Sequence, residues 1–267
     1  MKIHTNGVSL NVRVQGDGET SLVFLHYWGG SSRTWHHVTH ALADRFQTVA
    51  LDQRGWGDSD AGDGNFLVAT LADDVEGAID ALALERYVLV GHSMGGKVAQ
   101  LLASRRPKGL AGVVLVAPGS PGPSVFPLEQ RTMMTHAYET RESVAATVTQ
   151  VLTGKALSTS DFEQVIDDSL RGAPEAKVAW PMATMMEDIR SEVANIGVPV
   201  LVVGGESDKV DSVELLSSHV LPFLRGATLT VLPQTGHLSP LESPDELAQL
   251  IARFACGAAN SEWSNAR

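Results

Sequence analysis

The feature that most constrains this chain is a serine between two glycines, at residues 91–95 with the sequence Gly-His-Ser-Met-Gly. Residues 87–90 form an apolar run typical of a buried strand, and residues 94–105 predict a helix that ends before Pro107. A tight turn from strand to helix holds a serine in a strained conformation with its hydroxyl exposed. The segment therefore predicts that Ser93 is a nucleophile at a sharp corner of an α/β protein.

Short apolar runs and amphipathic helical patterns alternate through most of the chain. The Asn6-Gly7 dipeptide predicts a hairpin over residues 2–15. The apolar runs that predict further strands are residues 21–26, 46–52, 110–117, 198–204 and 228–232. Uninterrupted apolar strands that alternate with helices are typical of a parallel sheet covered on both faces. We therefore predict an α/β fold with a mostly parallel, twisted sheet and helices on both faces.

Two segments depart from this alternation. Residues 118–127 contain four prolines and two glycines and predict a hinge, and the sequence from there to residue 190 is helical in pattern. We expect residues 119–190 to form a small helical cap over the strand ends, inserted into a core of residues 1–118 and 191–257. Residues 258–267 show no periodicity and predict a disordered tail.

Charge and composition restrict the partners of the chain. The formal net charge is −11 and there is no basic run, which argues against nucleic acid or an anionic membrane as a partner. No apolar stretch approaches the length of a membrane span, the start of the chain has no export signal, and Cys256 is the single cysteine. We expect a soluble cytoplasmic protein, and the sequence is compatible with a homo-oligomer.

A serine hydroxyl becomes nucleophilic when a base takes its proton and a carboxylate orients that base. His237 follows the last predicted strand, at the same carboxyl edge of the sheet as Ser93. Asp208 lies on the loop after the preceding strand, and Asp211 and Glu206 on that loop are its alternatives. We predict Ser93 as nucleophile, His237 as base and Asp208 as the orienting carboxylate, since that order along the chain suits this architecture.

The oxyanion that forms during such a reaction needs two backbone N–H donors. Met94 follows the predicted nucleophile at the first turn of a helix, where the helix dipole also favours negative charge. The glycine-containing loop at residues 26–30 offers the second donor, and Trp28 is the predicted residue.

The histidines that remain do not predict a metal site. His36 and His40 have the i,i+4 spacing of a ligand pair, but the sequence shows no third ligand. His26 and His92 flank the predicted site, and we expect them to shape its loops. We predict neither a metal nor a cofactor.

These motifs together resemble the α/β-hydrolase superfamily over almost the whole chain. The matching motifs are His26 with its glycine loop, Asp52-Gln53-Arg54-Gly55-Trp56-Gly57-Asp58-Ser59, residues 91–96, Gly205-Glu206-Ser207-Asp208 and Gly236-His237. The chain most resembles the small bacterial esterase and cofactor-free haloperoxidase branch. This resemblance implies the α/β-hydrolase fold, the triad Ser93, Asp208 and His237, the oxyanion donors Trp28 and Met94, and a cap at residues 119–190.

One position departs from the family pattern, because relatives usually carry His-Gly where this chain has His26-Tyr27. The Tyr27 side chain either contacts the substrate or packs against the cap. The cap methionines, with Phe126 and Trp180, indicate an apolar pocket or, alternatively, the core of the cap itself. The predicted substrate contacts are Tyr27, Phe126, Trp180 and Leu238.

The identity of residue 93 selects a class of reaction. Relatives that displace halide or open epoxides use a carboxylate nucleophile, whereas a serine suits attack on a carbonyl carbon. We therefore predict a serine hydrolase that cleaves small to medium apolar carboxylic esters through an acyl-enzyme, with the ester as its small-molecule partner. Four alternatives stay open: lactone opening, carbon–carbon bond hydrolysis, a ligand receptor without turnover, and cofactor-free oxygen chemistry.

Overall fold

Eight strands form one sheet in the computed structural model, which describes residues 1–260. The strands are β1 (Lys2–Thr5), β2 (Val8–Gln15), β3 (Ser21–Leu25), β4 (Gln47–Leu51), β5 (Tyr87–His92), β6 (Leu110–Val116), β7 (Val200–Gly205) and β8 (Thr228–Leu232). Their order in the sheet is β1-β2-β4-β3-β5-β6-β7-β8. The two pairings of β2 are antiparallel and the other pairings are parallel, which confirms the predicted mostly parallel sheet.

The amino-terminal hairpin is confirmed as well. Strands β1 and β2 pair so that Thr5 lies opposite Val8, which leaves Asn6 and Gly7 as a two-residue turn. Both turn residues have positive φ angles, 45° and 73°. Asn and Gly tolerate this conformation, and its twist matches that of the flanking strands.

The described residues contain eleven α-helices. They are α1 (His36–Leu42), α2 (Val68–Ala81), α3 (Met94–Ser104), α4 (Leu128–Met134), α5 (Arg141–Thr147), α6 (Thr159–Arg171), α7 (Pro174–Met182), α8 (Arg190–Val193), α9 (Val213–His219), α10 (Ser239–Glu242) and α11 (Pro244–Asn260). None of the described helices has the length and apolar character needed to cross a bilayer.

Two apolar layers enclose the sheet because alternate strand residues point to opposite faces. On β5, Leu89 joins a buried cluster with Val98 of α3, whereas Val88 and Val90 join a second cluster with Ile251 of α11. Both faces of the strand are therefore covered, which explains why β5 is apolar throughout rather than alternating.

Helices α4 to α8 form an insertion between β6 and β7, in the region where the sequence predicts a cap. Both ends of the insertion are fastened to α3 by Lys97, whose buried ammonium donates to the carbonyl oxygens of Gly122 (3.2 Å), Met185 (3.2 Å) and Glu187 (2.6 Å). Burial lowers the pKa of Lys97 to about 8. The lysine thus holds the insertion against the helix that follows Ser93.

The carboxyl-terminal helix α11 extends to Asn260, three residues into the segment expected to be a tail. The rest of that predicted tail, residues 261–267, lies outside the described residues.

The corner at Ser93 requires a close crossing of α3 over β3, and this requirement is testable. A Cβ added at Gly95 would lie 2.6 Å from the carbonyl oxygen of Leu25, a backbone atom that cannot move aside. We expect Gly95→Ala to lower the free energy of unfolding by about 2 kcal/mol, as measured by urea denaturation.

The matched control for this prediction is Gly257→Ala in α11, where an added Cβ meets none of the described neighbouring atoms within 4 Å. Alanine favours helix there, so we expect the control to raise the free energy of unfolding by about 0.5–1 kcal/mol. Equal stability of the two variants would contradict a tight crossing at Gly95.

Candidate active site

Ser93 occupies a strained backbone corner between β5 and α3, with φ 51° and ψ −111°. Its N–H donates to the carbonyl oxygen of Val116 at 3.0 Å, and its own carbonyl oxygen accepts from the N–H groups of Lys97 (3.1 Å) and Gly119 (3.0 Å). A residue other than glycine in such a conformation costs about 1–3 kcal/mol, so it persists only where the surroundings enforce it. Here hydrogen bonds on both sides of the serine hold the corner at the carboxyl edge of the sheet.

The imidazole of His237 and the carboxylate of Asp208 form a buried pair. Nδ1 of His237 lies 2.9 Å from Oδ2 of Asp208, and the side chains are 2% and 0% exposed. A carboxylate only accepts, so Nδ1 carries the proton and Nε2 of the neutral ring is left as an acceptor. Ser93 and His237 line the same cavity, so the structure brings all three residues predicted for the triad into one site.

Charge within this pair shifts both pKa values. Burial lowers the pKa of His237, but the neighbouring Asp208 carboxylate outweighs burial and raises it above the usual value of 6.5. Burial raises the pKa of Asp208, yet the opposing effects of His237 and of the N–H groups of Val210 and Asp211 leave it below its usual value. The arrangement thus favours a charged carboxylate beside the imidazole.

Asp211 and Glu206, the alternatives to Asp208 on the same loop, do not form the hydrogen bond to His237. Asp211 lines the cavity, and burial raises its pKa to about 8, but the hydrogen bond to His237 comes from Asp208. Glu206 is exposed and accepts from the N–H of Gln234 at 2.8 Å. The geometry therefore selects Asp208 as the partner of His237.

Two backbone N–H groups near Ser93 have no hydrogen-bond acceptor among the described residues. One belongs to Trp28, which lines the cavity, and the other to Met94, which directly follows Ser93. The loop that carries Trp28 is joined to the start of α3 by a 3.2 Å bond from the N–H of Gly95 to the carbonyl oxygen of His26. The hydroxyl of Tyr138, from the insertion, donates to the carbonyl oxygen of Trp28 at 2.9 Å. Both N–H groups are therefore available to an anion.

His26 and His92 hold the loops of the site, as the sequence predicts. Nε2 of His26 accepts from the N–H of Gln53 at 3.0 Å, so its Nδ1 donates to the carbonyl oxygen of Tyr27 at 2.7 Å. Nε2 of His92 donates to the carbonyl oxygen of His237 at 2.8 Å. Burial lowers the pKa of both rings, that of His26 to about 4, which keeps both neutral at pH 7.

A buried carboxylate that the sequence analysis did not single out supports the histidine loop. Glu242 accepts through Oε2 from the N–H groups of Gly236 (3.0 Å), Gly154 (2.8 Å) and Lys155 (3.1 Å). It therefore links the loop before His237 to the insertion. The sequence shows no signal for this role, because all three donors are backbone groups that could accompany any side chain.

The cavity above Ser93 has a volume of about 480 Å³, within the usual range for a small-molecule site. Tyr27, Phe126 and Trp180, which the sequence suggests as substrate contacts, are among the residues that line it. The prediction for Leu238 is wrong, because Leu238 is not among the residues that line the cavity. Its side chain is fully buried, and its N–H donates to the carbonyl oxygen of Leu152 at 3.1 Å.

The side chain of Tyr27 lies between the cavity and two histidines of the core. Its ring lies at the cavity, 5.2 Å from the ring of His92 and edge-on to His237 at 6.4 Å between centroids. It is also almost completely buried, which raises the pKa of its phenol and keeps the hydroxyl neutral.

The insertion supplies much of the remaining wall of the cavity. The apolar residues there include Met133, Met134, Val151, Leu152 and Met185. Met182 and Met186 do not line it, so the methionines divide between the pocket and the rest of the insertion. Within the described residues, the three-residue group with ligand spacing for a metal, His36, His37 and Asp161, lies outside the cavity.

Comparison with known proteins agrees with this architecture. The model of the alpha/beta hydrolase family matches residues 22–250. The chain is 30% identical to a dihydrolipoyllysine-residue acetyltransferase component of the acetoin cleaving system from Cupriavidus necator, over 94% of this chain and 68% of the relative. It is 28% identical to a pimeloyl-[acyl-carrier protein] methyl ester esterase from Nitrosospira multiformis, over 93% of this chain and 98% of the relative.

Among solved structures, an esterase from Exiguobacterium antarcticum superposes with a TM-score of 0.87 at 20% identity, over 96% of this chain and 98% of that one. This likeness confirms the predicted fold of a mostly parallel sheet with helices on both faces. The match of the family model over most of the chain confirms the resemblance found in the sequence. The chain belongs to the alpha/beta hydrolase family.

Proposed function

We propose that this protein is a serine hydrolase that cleaves carboxylic esters of small to medium apolar substrates through an acyl-enzyme. The observation that carries the proposal is that Ser93 lines one cavity with His237, whose Nδ1 is hydrogen-bonded to a buried Asp208. A relative 28% identical over nearly its full length is named as a methyl ester esterase, which supports the ester as the substrate class.

In the proposed first half-reaction, Oγ of Ser93 attacks the acyl carbon while Nε2 of His237 takes the hydroxyl proton. The carbonyl oxygen becomes an oxyanion, and the N–H groups of Trp28 and Met94 donate to it. When the tetrahedral intermediate collapses, the bond to the alkoxy oxygen breaks, and His237 gives its proton to the departing alcohol. Asp208 keeps the ring in the required tautomer and stabilises the imidazolium.

Water completes the reaction in the second half. His237 takes a proton from the water molecule, whose oxygen attacks the acyl carbon of the ester formed with Ser93. The bond to Oγ breaks, His237 returns the proton to Ser93, and the carboxylic acid leaves. The strained corner at Ser93 supports both steps, because it presents Oγ to the cavity without any rearrangement of the backbone.

Removal of the Ser93 hydroxyl tests the proposed nucleophile. We expect Ser93→Ala to lower kcat/KM for 4-nitrophenyl butyrate by about 10⁴-fold or more, because the acyl-enzyme can no longer form. The matched control is Ser120→Ala, since Ser120 lines the same cavity and donates to the carbonyl oxygen of His219. The control should keep kcat/KM within about threefold of the wild type. Equal losses of kcat/KM in the two variants would reject Ser93 as nucleophile. A single stoichiometric burst of 4-nitrophenol from the wild type, without further turnover, would indicate a ligand receptor.

The pH dependence of kcat/KM tests the base. His237 acts only when neutral and its pKa is raised, so kcat/KM should increase with pH through an ionisation above 6.5. The charge of Asp208 is the main cause of that raised pKa. We expect Asp208→Asn to lower kcat/KM and to move the acid limb of the profile to lower pH.

The control for charge removal is Glu206→Gln, an exposed carboxylate of the same loop. We expect its profile to coincide with that of the wild type, since solvent screens an exposed charge. An acid limb that stays in place or moves to higher pH in Asp208→Asn would refute the coupling to His237.

A panel of substrates tests the specificity. In a series of 4-nitrophenyl esters from acetate to hexanoate, each additional methylene buried in the apolar cavity should raise kcat/KM by about two- to fourfold. Lactones and anilides of matched acyl size should react more slowly than these esters. A flat response to chain length would contradict the apolar pocket, and faster opening of the lactones would make lactone hydrolysis the activity.

A further inference from the structure

A cluster of three potential ligand side chains joins α1 to α6 outside the cavity. Nε2 of His37 lies 3.1 Å from Oδ1 of Asp161, and Nε2 of His36 lies 3.4 Å from the same oxygen. One ligand atom from each residue falls within 4.8 Å of the others. The sequence offers His40 as the partner of His36 by helical spacing, whereas the folded chain places His37 and a carboxylate from the insertion beside it.

The hydrogen bonding of His36 orients its lone pair toward this cluster. Nδ1 lies 2.8 Å from the carbonyl oxygen of Arg33, which only accepts, so Nδ1 carries the proton. In the neutral ring Nε2 is then an acceptor, and it faces a carboxylate oxygen that is also an acceptor. Two facing acceptors repel each other unless a proton or a metal cation lies between them. An Nδ1–H bound to a backbone carbonyl is also the usual support of a metal-binding histidine.

The carboxylate of Asp161 is also placed to act as a metal ligand. Asp161 is 7% exposed, and the hydroxyl of Ser158 donates to its Oδ2 at 2.7 Å. Oδ1 lies within 3.4 Å of both imidazole Nε2 atoms, and Oδ2 lies 3.2 Å from that of His37. Ligands about 2.1 Å from a tetrahedral zinc ion are about 3.4 Å apart. The two distances from Oδ1 of Asp161 to the imidazole nitrogens agree with this separation.

We propose that His36, His37 and Asp161 bind a divalent transition metal of the zinc class, with water completing the coordination. Two imidazoles and one carboxylate suit Zn²⁺ better than Mg²⁺, which prefers oxygen ligands throughout. The metal would join the core helix α1 to helix α6 of the insertion. It would reinforce an existing contact, since Asp168 of α6 accepts from Arg33 at 2.6 Å and from Ser31 at 2.9 Å.

The test is a titration of the full chain, without a polyhistidine tag, with Zn²⁺ and separately with Mg²⁺. We expect calorimetry to give one Zn²⁺ per chain, and Tm to rise by about 5 °C when Zn²⁺ is present at about 100 times its Kd. Mg²⁺ at the same concentration should leave Tm unchanged. Absence of a Zn²⁺ response, or an equal response to Mg²⁺, would overturn the proposal.

Substitutions test whether the rise in Tm comes from Zn²⁺ bound at His36, His37 and Asp161. His37→Ala and Asp161→Asn should each abolish the Zn²⁺-dependent rise in Tm, and the Tm of each variant without metal reports whether it folds. His40→Ala is the matched control, because His40 is an exposed histidine of the same helix, and it should keep the full rise. A rise that persists in His37→Ala would show that Zn²⁺ binds elsewhere and would reject this site.

Discussion

The backbone corner at Ser93 is the constraint on which the rest of the site depends. A serine at φ 51° persists because its N–H donates to Val116 on β6 and its carbonyl oxygen accepts from Lys97 and Gly119. The corner also needs glycine at position 95, where the start of α3 crosses the carbonyl oxygen of Leu25. Strand, turn and helix therefore form one unit, and a change in any of them would redirect the serine hydroxyl.

The parallel sheet explains why residues far apart in the chain meet at this corner. The loops after β5, β7 and β8 all emerge at the carboxyl edge, and they carry Ser93, Asp208 and His237. The pair of His237 and Asp208 is buried, which strengthens its electrostatic interaction. Neutral His92 supports the loop of His237 without adding a competing charge beside it.

The helical insertion is bound to the core at several points and completes the cavity. Lys97 holds its two ends, Glu242 joins it to the histidine loop, and Tyr138 holds the carbonyl oxygen of Trp28. Helix α6 is attached through Asp168, and the proposed metal would add a further attachment at Asp161. The apolar surface that faces Ser93 thus depends on polar contacts made at the margins of the insertion.

The sequence by itself determined the features that arise from neighbouring residues. The Asn6-Gly7 turn, the apolar strands and the glycine-flanked Ser93 each follow from local backbone preferences and side-chain periodicity, and the structure has all of them. The order of the predicted strands was also enough to predict that His237 lies at the same edge of the sheet as Ser93.

Only the tertiary structure decided which side chains touch. Asp208 and Asp211 lie on one loop, and the sequence could only rank them, because the direction of each carboxylate depends on how the loop packs. Leu238 points into the core rather than the cavity, and Asp161 comes to His36 from a helix more than a hundred residues away in the chain. Such contacts depend on distances between remote segments, and local sequence patterns carry no information about those distances.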